Sequence, residues 1–200
     1  MYAPVSPALT GGIGLLERAV NYALGSLQLV TPQVLTRPTP CRAWNVRALL
    51  RHLSGSLTAL GEAAGGQVML AAPGPRAANR DPVVDARQRA VQLVGAWLDV
   101  AAARRSVSVA GTPLTTPILV GAGALEVAVH GWDIDRACGA DRPVPPSLAE
   151  ELLELSPLLV TDDERPRLFA PRVEPSPLAT PGDRLVAFLG RDPGWAAASR

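Results

Sequence analysis

The amino-acid sequence predicts an all-α protein, and more narrowly a four-helix bundle with short extra helices at its C-terminal end. Four long segments carry apolar residues at the i, i+3, i+4 spacing of amphipathic helices. Stretches that contain proline and glycine separate these segments. The second connection, residues 64–81, is long, but neither half of the chain has a core pattern of its own. We therefore interpret it as a crossover inside one domain that spans residues 1–200.

The first two helices each have a start signal. Thr10 can cap a helix that runs to about Val30, where Thr31-Pro32 stops it because the residue before a proline disfavours helical backbone angles. Asn45 is a good N-cap for the second helix. Two prolines in three residues fix an extended approach to that cap. The apolar stripe of the second helix consists of Val46, Leu49, Leu50, Leu53, Leu57 and Leu60.

The third and fourth helices also have recognisable ends. Asp81-Pro82 provides the N-cap and the first residue of the third helix, which should end near Arg104-Arg105, where cations suit the helix dipole. Residues 106–116 are predicted to form a loop with some extended character. Pro117 opens the fourth helix, and Cys138-Gly139 ends it with glycine as the C-cap. Apolar residues lie on nearly all sides of this helix, so we expect it to be buried.

The C-terminal part of the chain predicts two shorter helices. Residues 145–150, Pro-Pro-Ser-Leu-Ala-Glu, have the form of a capping box and should start a fifth helix. The acidic, proline-rich stretch 161–181 is mostly loop. Residues 183–190 form a short last helix that packs on the bundle, and Trp195 is expected to hold the end of the chain against it.

Composition excludes several classes of function. Two hundred residues suit one domain with a sizeable core, and a net charge of +1 argues against a nucleic-acid-binding surface. No apolar run reaches the roughly 18 residues needed to span a membrane, and no signal peptide is recognisable. The two cysteines form no metal-type pair and no disulfide framework, which fits a reducing compartment. We therefore expect a cytoplasmic protein that binds neither nucleic acid nor membranes.

The fourth helix carries the candidate site. Glu126 and His130 are four residues apart, on one face and one turn from each other, and Asp133 falls on the same side. A carboxylate in an apolar helix is costly unless something pairs with it. The other histidine of the chain, His52, lies among small residues on the second helix. One carboxylate and two imidazoles make three ligands for a divalent metal, with room for water or substrate. Ala122-Gly123 should leave space above this site.

Each of these residues also has a plainer interpretation. His52 lies on the flank of its helix stripe, where a partly buried histidine often donates a hydrogen bond to a carbonyl group. Asp133 could orient a ligating imidazole. It could equally be a surface carboxylate that pairs with Arg136 or Arg87. The residues alone leave these alternatives open.

Other residues with reactive or charged side chains are weaker candidates. Arg42 and Arg47 could face the mouth of the site and bind the carboxylate of a cofactor, although solvated arginines are the stronger interpretation. Cys41 and Cys138 are interpreted as small packing residues and not as nucleophiles. Two tryptophans are likewise interpreted as packing residues and not as substrate platforms: Trp44 and Trp132.

Three segments of the chain resemble, in order, segments of a known family. The segment at residues 39–53, TPCRAWNVRALLRHL, resembles the signature near the start of the mycothiol-dependent maleylpyruvate isomerase N-terminal domain. This domain family is a branch of the DinB/YfiT-like superfamily. Its second motif resembles VHGWDIDRACG at residues 129–139. The closing segment of its actinobacterial single-domain members resembles DRLVAFLGRDPGW at residues 183–195. The chain contains no lysine, which agrees with the GC-rich codon usage of such a host.

The resemblance implies both a fold and a chemistry. It implies a four-helix bundle in which His52, Glu126 and His130 hold a divalent metal, usually zinc. The activity it implies couples a low-molecular-weight thiol, mycothiol in actinobacteria, to isomerisation of an electrophilic small molecule or S-transfer to it. The isomerase's C-terminal domain, which helps to shape its substrate site, has no counterpart in this sequence, so we do not expect maleylpyruvate to be the substrate. The sequence leaves open the metal, the substrate, and whether the protein is a monomer or a homodimer.

Two classes of function remain from the sequence. The first is a metal-dependent thiol transferase or isomerase of natural-product or detoxification metabolism, which predicts about one divalent metal per chain. The second is a non-thiol small-molecule binding protein, or a pathway cyclase or isomerase on the same bundle. It predicts a pocket that binds an apolar ligand without any thiol.

Overall fold

The computed structural model of the chain describes residues 12–42, 44–68, 80–100, 106–109, 111–163, 165 and 169–197, and only the backbone of residues 67, 98–100 and 112. It is mostly helical, as predicted. The helices are α1 Gly12–Leu27, α2 Val46–Ala64, α3 Pro82–Val100, α4 Thr116–Ala137, α5 Pro146–Leu159 and α6 Pro181–Phe188, with a 3-10 helix at Pro32–Val34.

The four long helices pack in a closed order. Helix α1 lies along α4, α2 packs against both α4 and α3, and α3 also contacts α1. Helix α5 covers α4 and part of α1, and α6 packs on α5. The core between them is built from fully buried side chains such as Leu15, Leu50, Leu93, Trp97 and Leu152. Burial of these apolar side chains is the main stabilising contribution to the arrangement.

Helix α4 is buried on nearly all sides, as its sequence predicts. Its glycines allow close approach of the neighbouring helices. A Cβ atom at Gly123 would lie 2.5 Å from Leu60 of α2, and one at Gly131 would lie 3.0 Å from the Cα atom of Ala23 of α1. The prediction that Gly123 leaves space above the metal site is therefore wrong, because Leu60 fills that space.

Several predicted helix ends are confirmed by their capping geometry. Asn45 Oδ1 accepts a hydrogen bond from the backbone N–H of Ala48 at 2.9 Å, and Asp81 Oδ1 accepts one from Val83 at 2.8 Å. At the end of α4, Gly139 has a φ of +83°, the left-handed conformation that glycine adopts without steric cost. These caps fix where the site-bearing helices begin and end.

The capping box predicted at the start of the fifth helix is wrong. Helix α5 begins at Pro146, and its N-cap residue Pro145 makes no side-chain cap hydrogen bond. Pro146 takes the first helical position, where its fixed φ is favourable, so Ser147 lies inside the first turn. A capping box does occur at α6, where Thr180 and Asp183 each accept a hydrogen bond from the other's backbone N–H.

A small sheet departs from the predicted all-α class. Strands β2, Ser106–Val109, and β3, Thr112–Thr115, form an antiparallel hairpin, and β1, Gln67–Val68, pairs in parallel with β2. The extended character predicted for residues 106–116 is confirmed, but its pairing with the long crossover was not predicted. Val68 and Val107 are buried, so the sheet closes one end of the helical core.

Some predicted boundaries differ or lie outside the described residues. Helix α1 ends at Leu27, before the predicted Val30, in a turn closed by the hydrogen bond from the Gln28 N–H to the Gly25 carbonyl. The predicted cap Thr10 and the predicted helix end at residues 104–105 lie outside the described part of the chain. None of the described helices is long and apolar enough to cross a lipid bilayer.

Candidate metal centre

Two neighbouring helices bring three polar side chains to one place. His52 lies on α2, while Glu126 and His130 lie one turn apart on α4. Residues i and i+4 of a helix share a face, so both side chains of α4 point the same way. Because α2 packs against α4, the single histidine of α2 meets this face. The structure thus brings together all three residues predicted as metal ligands.

The Glu126 carboxylate lies between the two imidazoles. Its Oε1 atom is 2.5 Å from His52 Nε2 and 3.3 Å from His130 Nε2. The centroids of the two imidazole rings are 5.0 Å apart, and the rings are nearly perpendicular. The Ser56 hydroxyl, one turn after His52, donates to the same Oε1 atom at 3.0 Å. One ligand atom from each of the three residues therefore lies within 4.8 Å of the others.

The site lies at the edge of the core. The side chains of His52 and Glu126 are 36% and 30% exposed, whereas that of His130 is only 5% exposed. One ligand is thus held by the core, and the other two border solvent. An additional ligand, such as water or a small molecule, can approach from the solvent side.

A buried carboxylate fixes the orientation of His130. Its Nδ1 atom lies 2.9 Å from Asp133 Oδ2, and Asp133 is completely buried. A carboxylate accepts hydrogen bonds, so this contact assigns the Nδ1 hydrogen to His130 and turns Nε2 toward Glu126. A carboxylate that fixes the second nitrogen of a ligating imidazole is a recurrent feature of metal sites.

The alternative pairing of Asp133 with Arg136 or Arg87 does not occur. Arg136 donates to the carboxylate of Asp141 and to the carbonyl of Pro193. Arg87 donates to the carbonyl of Leu27. The guanidinium that does bind Asp133 is that of Arg191, at 3.1 Å, from the segment that follows α6.

The loop before α2 places an aromatic ring on the site. The Trp44 ring stacks on His52, with centroids 4.3 Å apart at an angle of 30°, and lies 5.9 Å from the His130 ring. A bridge between Pro38 and Asn45 closes this loop, and the buried Thr39 hydroxyl contacts the Trp44 carbonyl at 2.9 Å. Trp44 is thus a packing residue, as predicted. The residues that it packs against are the candidate ligands, which the sequence did not predict.

The charges of the three groups depend on one another. Burial raises the pKa of a carboxyl group, yet the pKa of Glu126 is held well below its usual range by His130 and His52. Burial opposes a charged imidazole, but Glu126 and Asp133 outweigh it and raise the pKa of His130 to about 9. Near neutral pH a metal-free site therefore holds a proton on His130 that a metal must displace.

The chemistry of the donor set fits a divalent metal. Two imidazole nitrogens and one carboxylate oxygen are the ligands of many catalytic zinc sites, which keep a further position for water or substrate. Glu126 remains ionised, as a ligand must be, and His130 already presents Nε2. The three residues His52, Glu126 and His130 could therefore hold such an ion, and the identity of the metal does not follow from the ligands.

The other candidates from the sequence lie on the loop before α2, in the first turn of α2 and at the C-terminal end of α4. Arg42 is exposed on the loop before α2, and Arg47 is half-buried in the first turn of that helix. Cys41 is half-buried. Cys138 is half-buried as well, and burial together with Asp135 raises the pKa of its thiol to about 11, so it stays protonated at neutral pH.

Three contributors to the site were not recognised as such from the sequence. Ser56 is one of the small residues around His52, and its i+4 spacing from His52 could have identified it as a hydrogen-bond donor at the site. Trp44 was assigned to packing alone. No local pattern indicates that Arg191 contributes to the site, because its partner Asp133 lies 58 positions earlier in the chain.

Comparisons with known proteins bear on this site. A family model described as the mycothiol maleylpyruvate isomerase N-terminal domain matches residues 16–135, a range that includes all three candidate ligands. Two uncharacterized proteins, from two strains of Mycobacterium tuberculosis, are each 30% identical over 189 residues, which cover 88% of this chain and 94% of theirs. No solved structure matches the chain.

Proposed function

The chain belongs to the mycothiol maleylpyruvate isomerase N-terminal domain family, and from this premise we propose that it is a divalent-metal-dependent enzyme that uses mycothiol. Its substrate is an electrophilic small molecule, and the reaction is S-transfer to that molecule or its isomerisation. We also propose that the four long helices form the DinB/YfiT-like four-helix bundle, as one domain. A cytoplasmic location is part of the proposal, because a free thiol needs a reducing compartment.

One observation carries this proposal. The Oε1 atom of Glu126 lies 2.5 Å and 3.3 Å from the Nε2 atoms of two histidines that are 78 positions apart in the sequence, His52 and His130. The chain has no other histidine. A surface ion pair would not recruit both histidines of a protein to one carboxylate at the edge of its core. A site for a divalent metal, for which we propose zinc, would explain why they meet.

The residues of the chain supply the setting for thiol chemistry. A bound divalent ion would lower the pKa of a coordinating thiol, so that the thiol binds as the nucleophilic thiolate. Glu126 and the neutral His52 and His130 are the groups that would hold the ion. Asp133 keeps the Nδ1 hydrogen of His130 in place. The Trp44 ring stacks on the His52 imidazole and so limits the movement of that ligand.

The thiolate then accounts for both proposed reactions. Its sulfur forms a bond to an electrophilic carbon of the substrate, and the electron pair of the attacked double bond moves to the neighbouring carbon. Rotation about the resulting single bond, followed by loss of the thiolate, gives cis–trans isomerisation. Protonation of the adduct gives S-transfer. Closeness of the two reactants at the centre is the main catalytic contribution of the protein in either case.

Arg42 and Arg47 are proposed to bind the polar part of the thiol. They lie on either side of Trp44 in the sequence, where the loop enters α2, and this loop forms one wall of the centre. An arginine binds a carboxylate through two parallel hydrogen bonds. The exposure of Arg42 leaves its guanidinium available to a ligand.

Metal analysis combined with calorimetry tests the proposed function. Protein purified without chelators and supplied with zinc should hold about one zinc ion per chain, and mycothiol should bind only to the loaded form. His52→Ala and His130→Ala should lose both properties. Arg18→Ala, which removes an exposed ion pair with Glu151, should keep both.

Wild-type protein that takes up no divalent metal would overturn the proposal. Binding of mycothiol with equal affinity in the presence and absence of metal would overturn the part that concerns thiol activation. If the protein instead binds apolar small molecules with no thiol dependence, a non-thiol binding protein or cyclase on the same fold becomes the better assignment.

A further inference from the structure

The segment that follows α6 returns to the metal centre. Arg191, in this segment, is only 7% exposed and lies beside the completely buried Asp133 of α4. Residue 191 also lies far beyond residues 16–135, which match the family. The centre is therefore supported by a part of the chain outside the matched range.

Arg191 binds Asp133 with two nitrogen atoms. Its Nη2 donates to Asp133 Oδ2 at 3.1 Å, and its Nε donates to Oδ1 at 3.4 Å. A guanidinium that contacts both oxygens of a carboxylate fixes the rotation of the carboxylate plane as well as its position. Oδ2 is the same oxygen that accepts from His130 Nδ1 at 2.9 Å. The fixed carboxylate of Asp133 therefore also fixes the orientation of the His130 imidazole.

The local fold holds Arg191 in turn. Helix α6 ends at Phe188, and Gly190, two residues later, has a φ of +79° that reverses the chain. The backbone N–H of Arg191 bonds the carbonyl of Val186 at 2.9 Å, and its Nη1 donates to the carbonyl of Leu189 at 2.9 Å. A Cβ atom at position 190 would lie 2.5 Å from the carbonyl oxygen of Ala170, so only glycine fits. The turn at Gly190 therefore fixes the direction of the Arg191 guanidinium.

A second arginine–aspartate pair on the same helix offers a contrast. Asp135, also completely buried, lies 3.5 Å from Arg142 Nε and accepts a backbone hydrogen bond from Arg142 at 2.8 Å. Arg142 then bonds Tyr22 and Ser26 of α1. This pair ties the end of α4 to α1, and the partners just named include none of the candidate ligands.

We propose that Arg191 is a positioning residue of the metal centre, which acts through Asp133 to hold His130 in the orientation that presents Nε2 to a divalent metal. The inference rests on the proposed function, because it requires that the centre binds a metal. It goes further in assigning a role to the segment after α6. Without Arg191, Asp133 keeps only one of its side-chain partners and can rotate away from Nδ1, so His130 loses its fixed direction.

The test compares Arg191→Met with Arg142→Met. Zinc affinity is measured by competition with a chromophoric chelator, the visible absorption spectrum is recorded with cobalt in place of zinc, and thermal unfolding is followed for the metal-free proteins. Loss of an outer hydrogen bond to a ligand typically weakens metal binding about 10- to 100-fold. We expect this loss and an altered cobalt spectrum in Arg191→Met. Arg142→Met should unfold at a lower temperature but keep its zinc affinity within about twofold.

The outcomes separate the two proposals. Wild-type protein that binds no zinc overturns the proposed function and this inference with it. Wild-type protein that binds zinc, together with an Arg191→Met variant of unchanged affinity and spectrum, overturns this inference alone. If Arg191→Met does not fold, Arg191→Lys serves instead, because lysine keeps the charge but cannot contact both carboxylate oxygens. An affinity equal to that of the wild type in Arg191→Lys would also contradict the positioning role.

Discussion

The two histidines of the centre are held in different ways. His130 is buried, and behind it Asp133 and Arg191 form a chain of hydrogen bonds that reaches into the core. His52 is about one third exposed, and its ring is stacked on Trp44, which belongs to a surface loop. Charged hydrogen bonds thus fix the imidazole of His130, whereas an aromatic contact holds the imidazole of His52.

The difference indicates a division of tasks. A buried imidazole with an assigned hydrogen is a rigid ligand that is set before any metal arrives. An imidazole on the exposed side can adjust when a metal or a thiol binds, at a smaller cost in packing. We therefore expect that changes on the His130 side affect both metal binding and folding, whereas changes on the His52 side mainly affect metal binding.

The largest effects should come from removing each imidazole. His130→Gln and His52→Gln should both lose stoichiometric zinc, because each removes one of three ligands. In the metal-free proteins, His130→Gln should lower the free energy of unfolding by about 1–3 kcal/mol, since it disturbs a buried charged hydrogen bond. His52→Gln should lower it by less, about 0.5–1 kcal/mol, because it removes the aromatic contact with Trp44 at a partly exposed position. Elemental analysis and urea unfolding measure these effects, and equal losses of stability would contradict the comparison.

Zinc affinity should rise steeply with pH. The pKa of His130 is raised to about 9 in the metal-free protein, so below that pH the metal must displace one proton. The apparent association constant should then increase about tenfold per pH unit well below pH 9, and about 50-fold in all between pH 7 and 9. Chelator competition across this range measures the slope. A flat profile would show that His130 is already neutral at pH 7.

The stability of the metal-free protein should fall as the pH rises. The pKa of His130 is raised to about 9 from an ordinary value of 6.5, so its stabilising contribution is complete below about pH 6.5 and is lost as the pH rises through about 9. We expect a loss on the order of 1–3 kcal/mol. Urea unfolding at pH 6 and pH 9.5 measures it. The His130→Gln variant should lack most of this pH dependence, whereas His52→Gln should retain it.

Removing the stacked ring should weaken zinc binding moderately. Aromatic contacts of this kind contribute about 0.5–1.5 kcal/mol, which corresponds to a change in affinity of about twofold to twelvefold. Trp44→Ala should show such a loss because His52 becomes free to turn, and Trp44→Phe should recover most of it. An effect of Trp44→Ala on stability without any effect on zinc affinity would return Trp44 to a packing role.

The smallest effect should come from Ser56. Its hydroxyl donates to Glu126 Oε1, but a partly exposed carboxylate can replace this bond with water. Ser56→Ala should weaken zinc binding about twofold to threefold and leave the temperature of unfolding within about 1 °C. Calorimetric titration measures the first quantity and scanning calorimetry the second. A loss above tenfold would make Ser56 a main determinant of the orientation of Glu126.

Local rules predicted those parts of the fold that depend on neighbouring residues. The caps at Asn45 and Asp81 and the glycine end of α4 are decided within a few positions, and each occurs as predicted. The meeting of Glu126 and His130 follows from helical spacing alone. Their contact with His52 required one further step, namely that a polar group in a buried helix needs a partner.

The remaining features depend on contacts between distant residues or on competition between local rules. The pairing of β1 with β2 joins residues about 40 positions apart, and the two-residue sequence of the strand Gln67–Val68 is too short to predict it. The sequence of a polar turn does not reveal which buried carboxylate Arg191 meets. At Ser147 the capping-box pattern did not determine the start of the helix, because Pro146 begins the helix one residue earlier.

The contact between Asp133 and Arg191 also has a consequence for protein synthesis. The chain leaves the ribosome from its N-terminal end, so α4 is complete while Arg191, 58 positions later, has not yet been added. Until then, Asp133 would be a buried charge without its guanidinium partner, which opposes packing of the last turns of α4. We expect nascent chains to keep this helix end loose until the segment after α6 emerges. On this basis we also expect the metal centre to form late in the folding of the chain.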